Sequence, residues 1–243
     1  MEASGSRVDV GRVFSQTIDT YRENFGPLVG GALIVVGAAA VLAGILGATG
    51  SLALVVIGSI IVFIARYLYV GFVVKLVQDV RDGRLDSSMS ELLSAAMPYI
   101  GTLILFSILA GIAIGIGFLL LIVPGLILLT IWSVAVPSIV VENQSVMGAF
   151  GRSRELVRGE GWTVFAVIIL TALFVGIIGA VAGAVGDSIG EDAGRVILTT
   201  IAEVFLAPIF GLVSSILFFD LGGGGGPAAP ATEVPPAGAP PAA

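Results

Sequence analysis

The sequence predicts an all-α polytopic membrane bundle: six transmembrane helices arranged as three hairpins, each preceded by a short amphipathic interfacial helix. Three observations predict it. Hydrophobic residues make up 57% of the 243 and charged residues only 12%, half the share of about 25% that a water-solvated surface carries. Charge-free runs recur at the length of about 20 residues that a helix needs to cross a bilayer core of about 30 Å. Basic residues gather in three clusters that fall on alternate loops.

Residues 1–25 read as a terminal segment carrying an amphipathic helix. Val10, Val13, Phe14, Ile18, Tyr21 and Phe25 repeat at helical spacing on one face. Glu2, Asp9, Asp19 and Glu23 interrupt the stretch, so no cleaved signal is expected. The membrane domain follows over 26–221. Its first span, about 28–48, carries no charge, and Thr49-Gly50-Ser51 makes a tight turn into the second, 52–74, which holds Arg66. Ser88-Met89-Ser90-Glu91 has the form of a capping box and opens a second stripe through Leu92, Leu93, Ala96 and Met97. The charge-free stretch Ile100–Val141 is long enough for two spans, 100–119 and 124–141. Gly115, Gly117 and Pro124-Gly125 divide them, Pro124 being tolerated in a first helical turn. A third, weaker stripe, Val146, Ala149, Phe150, Ser153, Leu156 and Val157, stops at Gly159. Spans 163–185 and 196–219 complete the set, Glu203 and Pro208 lying in the last. Pro137 and Pro208 each remove a backbone N–H and predict packing kinks. Residues 222–243, Gly-rich and then Pro/Ala-rich, predict a disordered tail.

Spans one, three and five begin 72 and 63 residues apart, each after an amphipathic stripe. The plan therefore reads as three copies of one architectural unit. Nine of the 11 basic residues precede these hairpins: Arg7, Arg12 and Arg22; Lys75, Arg81 and Arg84; Arg152, Arg154 and Arg158. The opposite side carries two short turns and a loop in which Asp187, Glu191 and Asp192 outnumber Arg195. The positive-inside rule then expects a plasma-membrane protein with both termini cytoplasmic.

Composition excludes much chemistry. The net charge of −6 and the lack of a basic run argue against nucleic acid. No Cys and no His occur, which removes Cys/His zinc sites, Ser-His-Asp and Cys-His nucleophiles and haem-type ligation. Asp187, Glu191 and Asp192, and separately Asp79, Asp82 and Asp86, lack calcium-loop spacing and read as solvated acidic residues; no metal and no cofactor is expected. Small residues recur four apart, as in Ala40, Gly44 and Ala48, Gly111 and Gly115, and Gly176, Ala180 and Ala184; they read as packing positions within the bundle. Tyr99 and Trp162 sit where an aromatic belt is expected. Charges inside spans or at their basic ends are the candidate structural and functional residues: Arg66, Glu142, Arg152 and Glu203. Counting depth along the spans pairs Arg66 with Glu142, shared with Arg152, against snorkelling of Arg66 to lipid phosphate.

One stretch is distinctive: Pro124-Gly125, Trp132, Pro137, Glu142, Ala149, Arg152-Ser153, Leu156, Gly159 and Trp162, with Phe218-Phe219-Asp220-Leu221 further on. It resembles the membrane-domain family named after glycerophosphoryl diester phosphodiesterase and related YciC-like multi-span proteins, with Gly222 where that family has Arg. The resemblance implies a multi-span domain without the hydrolase, which is a separate soluble domain in fused relatives. The leading functional expectation is non-enzymatic membrane organisation or scaffolding. A small-solute or lipid transporter or channel is the alternative, and a lipid-modifying enzyme stands third. Expected partners are membrane lipid, other membrane proteins or a second copy of the chain. Charges converging at depth on a cavity would favour transport, and charges at the basic boundary would favour scaffolding.

Overall fold

The computed structural model describes residues 8–83 and 87–224, with backbone alone at 190–193. The expectations for the tail beyond 224, for Arg7, Arg84 and Asp86, and for the side chains of Glu191 and Asp192 lie outside the described residues.

Helix α1 (Val10–Glu23) starts where the Asp9 carboxylate accepts the Arg12 N–H at 2.8 Å, the short acceptor that a helix N-terminus favours. Helix α2 (Phe25–Ala32), a π-helical turn over Leu33–Gly37 and α3 (Ala38–Gly47) form the first span, Phe25–Gly47. Helix α4 (Leu52–Arg81) is the second. The Ser88 capping box is present and opens α5 (Met89–Ala96), which continues through a 3-10 turn into α6 (Ile100–Leu120). Span four, Ile122–Glu142, is divided into α7 (Ile122–Ile131) and α8 (Ala135–Glu142). Helix α9 (Val146–Val157) is capped by Ser145, and Gly159, at φ +98°, takes the left-handed turn that follows. Helix α10 (Gly161–Asp220) contains the last two spans, Gly161–Ile189 and Gly194–Asp220. A Cβ on Gly186 would stand 2.5 Å from Arg195 Cα, although nine residues of straight helix cover about 14 Å. The chain therefore folds back between them. Six helices long and apolar enough to cross a membrane result, with no strand among the described residues. The fold is the all-α polytopic bundle expected.

The core is not centred. α4 is buried over Tyr69, Phe72, Val73, Val74, Leu76 and Val77, and α10 over Val164–Ile168 and Leu212–Phe218, all in the half that carries α1, α5 and α9. Toward the hairpin tips the apolar residues are exposed, among them Leu52, Val55, Leu119, Leu120, Val181 and Val196. In water such a surface would drive aggregation; against lipid it needs no cover. Each hairpin closes on itself through glycine: Gly58 against Ala43, Gly117 against Gly125, and Gly186 against Arg195.

Three expectations are corrected here. The four-residue small stripes do not pack the bundle: a Cβ on Gly44, Gly111, Gly115, Gly176 or Gly179 would meet nothing within 4 Å. Close helix approach falls instead on Gly31, Gly58, Gly125 and Gly211, where a Cβ would meet Phe72, Ala43, Phe118 and Val73. Repetition at four residues reflected glycine abundance rather than contact. Pro137 likewise does not kink a continuous helix, because the helix is broken before it at Trp132–Val134. Gly222–Gly224 also differ from a free tail. They form a turn in which the Gly223 N–H donates to Phe218 O at 2.8 Å, with Gly222 at φ +88°.

Candidate functional site

Two charged centres stand at different depths, and they are built differently. The first is a closed clasp at the basic end. Glu142, the last residue of α8, receives Arg152 of α9 in fork geometry, Nε to Oε2 at 2.8 Å and Nη2 to Oε1 at 2.9 Å. Arg152 also donates to Glu155 at 3.2 Å, and the Gly224 N–H donates to Glu142 Oε1 at 3.0 Å. These carboxylates hold the Arg152 pKa above its ordinary value, Glu142 contributing most.

The break in span four is sealed by the same region. Pro137 cannot donate to Ser133 O, four residues back, and the Ser214 hydroxyl of α10 donates there instead, at 2.6 Å. Ser153 Oγ donates to Ile131 O, at the end of α7, at 2.8 Å. Ala149 is fully buried, and Phe150 packs on Trp132 and Phe106. Phe219 carries the Arg81 guanidinium 4.6 Å from its ring centre, and Asp220 pairs with Arg12 at 3.2 Å. Pro124, Gly125 and Phe118 shape the tip between spans three and four, and Gly159 turns the chain into α10. Trp162 is exposed, as an interfacial anchor would be. The distinctive sequence stretch thus builds a structural junction.

The second centre lies deeper. Arg66 Nη2 donates to Glu203 Oε1 at 2.8 Å, with both side chains 51% exposed. The expected Arg66–Glu142 contact is overturned, since Glu142 is fully engaged at the basic end. Spans two and six run in the same direction. Arg66 lies about 21 Å from Leu52 along α4, and Glu203 about 14 Å from Gly194 along α10. Side chains lean toward a helix N-terminus, so the longer arginine reaches toward the hairpin tips, to the depth of Glu203, and not toward the basic end. The last span also begins at Gly194 rather than 196, which lowers Glu203 by about 3 Å.

The pair faces a cavity of about 420 Å³ between four spans, lined by Val36, Tyr69, Val175, Gly179, Ala202 and Phe210 among others. Val36 lies in the π-helical turn, a feature that recurs at functional sites. The Tyr69 hydroxyl donates to Leu28 O at 2.8 Å, and Thr199 Oγ1 to Arg195 O at 2.7 Å, so neither is free to meet a guest. Nearer the hairpin tip on the same face of α4, Arg66 also lines a second cavity of about 450 Å³ with Ala43, Val55, Ser59, Val62 and Phe63.

Helix α1 seats Val13 and Thr17 on the bundle and is pinned by the Tyr21 hydroxyl, which donates to Phe205 O at 3.0 Å, one turn before Pro208. Burial pushes the Tyr21 phenol up. No cluster of three metal-ligating groups occurs among the described residues; Asp187 instead pairs with Arg195 at 3.6 Å. Sequence reading missed Ser214 and Tyr69, and took Gly179 as a packing position rather than as cavity lining. Of these only Ser214 had a signal: a hydroxyl facing the carbonyl that Pro137 leaves open.

Fold and sites together define a six-span integral membrane protein of the helical-bundle class. No family model, curated protein or solved structure matches the chain.

Proposed function

We propose that this chain binds and moves a small amphipathic molecule within the plasma membrane, with the Arg66–Glu203 cavity as the seat and both termini in the cytoplasm. The observation that carries the reading is the half-exposed ion pair opening on a cavity between four spans. Charge at that depth is costly unless it is paired or used, and about 420 Å³ falls in the range of about 300–1,000 Å³ typical of small-molecule sites. The role is non-enzymatic, in keeping with a sequence that lacks His and Cys. The nine clustered basic residues support the cytoplasmic assignment of the clasp end. On its motif the chain is also proposed to belong to the membrane-domain family it resembles. Scaffolding remains the second reading, supported by the three amphipathic helices gathered at one end.

Gly179→Leu tests the choice. Its Cβ would meet nothing within 4 Å, so the new side chain grows into the cavity without displacing backbone. In lipid nanodiscs, a fluorescent polyene alkyl probe, as the alcohol and as the carboxylate, should bind the wild type and lose at least about fivefold in affinity for the variant. Equal binding by the two proteins would return the chain to the scaffolding reading.

A further inference from the structure

We infer that the cavity selects a single-chain alkyl anion, whose head group takes Arg66 in place of Glu203. This rests on the binding reading above and adds the class of ligand. The contrast between the two arginines carries it. Arg152 is engaged through three contacts, two of them in a fork with Glu142. Arg66 makes one contact, Nη2 to Oε1, and its remaining N–H donors have no protein acceptor among the described residues. A guanidinium offers five donors in a rigid plane matched to a carboxylate or phosphate. Glu203 uses one edge point of that plane. A free anion able to bind side-on would make two charge-assisted hydrogen bonds where Glu203 makes one.

The rest of the lining restricts what is attached to the anion. The Tyr69 and Thr199 hydroxyls donate to backbone carbonyls, so neither offers a second donor to an anionic head group. The remaining wall is aliphatic and aromatic. The cavity of about 420 Å³ lies at the low end of the range of about 300–1,000 Å³ that small-molecule sites occupy, which suits one alkyl chain better than the two of a phospholipid. Access from lipid is provided because Arg66 is common to this cavity and to the groove that Ser59 and Phe63 line.

Displacement would leave Glu203 as the cavity's competing carboxylate for Arg66, so removing its charge should favour the incoming anion.

The test uses the full chain in phosphatidylcholine nanodiscs with the same polyene probe as carboxylate and as alcohol. Wild type should prefer the carboxylate. Arg66→Gln should weaken the carboxylate about tenfold and leave the alcohol unchanged, while Arg66→Lys, which keeps the charge, recovers part of the preference. Glu203→Gln should do the opposite, tightening the carboxylate about tenfold. A pair with a merely structural role would weaken binding in both variants. Carboxylate binding unchanged in Arg66→Gln, or weakened in Glu203→Gln, overturns the inference. In either case, alcohol binding that still responds to Gly179→Leu leaves the cavity reading standing. Displacement of the probe by phosphatidylglycerol doped into the disc would overturn the single-chain assignment.

Discussion

Truncating Arg152 to alanine should destabilise the protein by about 3 kcal/mol, and the reasoning behind that figure separates a clasp from a site. The substitution removes bonds of 2.8 and 2.9 Å to Glu142, whose side chain is 12% exposed. Removing one partner of a buried pair costs about 3–5 kcal/mol, mostly through the charge left behind. Glu142 keeps the Gly224 N–H and some access to water, which places the loss at the lower end. Glu142→Ala should cost a similar amount, and the double variant should recover at least about 1.5 kcal/mol of the sum, as contacting pairs do. The same cycle at Arg66 and Glu203, one contact between half-exposed groups, should give a coupling near the average of about 0.6 kcal/mol measured between membrane helices. Unfolding in mixed micelles by SDS titration reads both cycles. Additive losses at the clasp, or a larger coupling at Arg66–Glu203 than at Arg152–Glu142, would refute the distinction.

Two further outcomes follow from the fold. Ser214→Ala should cost about 1–3 kcal/mol by leaving Ser133 O without a donor, and less than half of that in a Pro137→Ala background, where a backbone N–H returns; equal costs in the two backgrounds would detach Ser214 from the proline. In the cysteine-free chain, Ser15→Cys and Ser90→Cys should resist an impermeant thiol reagent in intact cells while Ser188→Cys reacts, and the reverse pattern would invert the topology.

The elements were legible because each rests on local chemistry. Apolar length marks the spans, Ser88 announces a helix start, and Pro124 and Thr49-Gly50-Ser51 announce reversals. The bundle's internal register was not legible. Counting residues assigned Arg66 the wrong partner, because depth along one helix omits side-chain lean and the true start of the neighbouring span. Gly44 and Gly211 carry the same local signal, yet only Gly211 meets another helix, at Val73. Which glycine faces a neighbour depends on how hairpins rotate against one another, and that depends on every residue between them.

The placement of the two charged centres gives the bundle its mechanical character. Ties between hairpins concentrate at the basic end: Arg12 to Asp220, Arg81 over Phe219, Ser214 to Ser133 O, and Glu142 to both Arg152 and Gly224. Toward the tips, hairpin contacts are internal, made where glycines let each pair of helices touch. Between these zones, the Arg66–Glu203 ion pair joins the second span to the sixth. Both hairpins are locally irregular beside it, through the π-helical turn at Leu33–Gly37 and through Pro208. A tie expected to couple by only about 0.6 kcal/mol is one that a competing anion can replace, whereas the clasp, with three contacts to Arg152, is not.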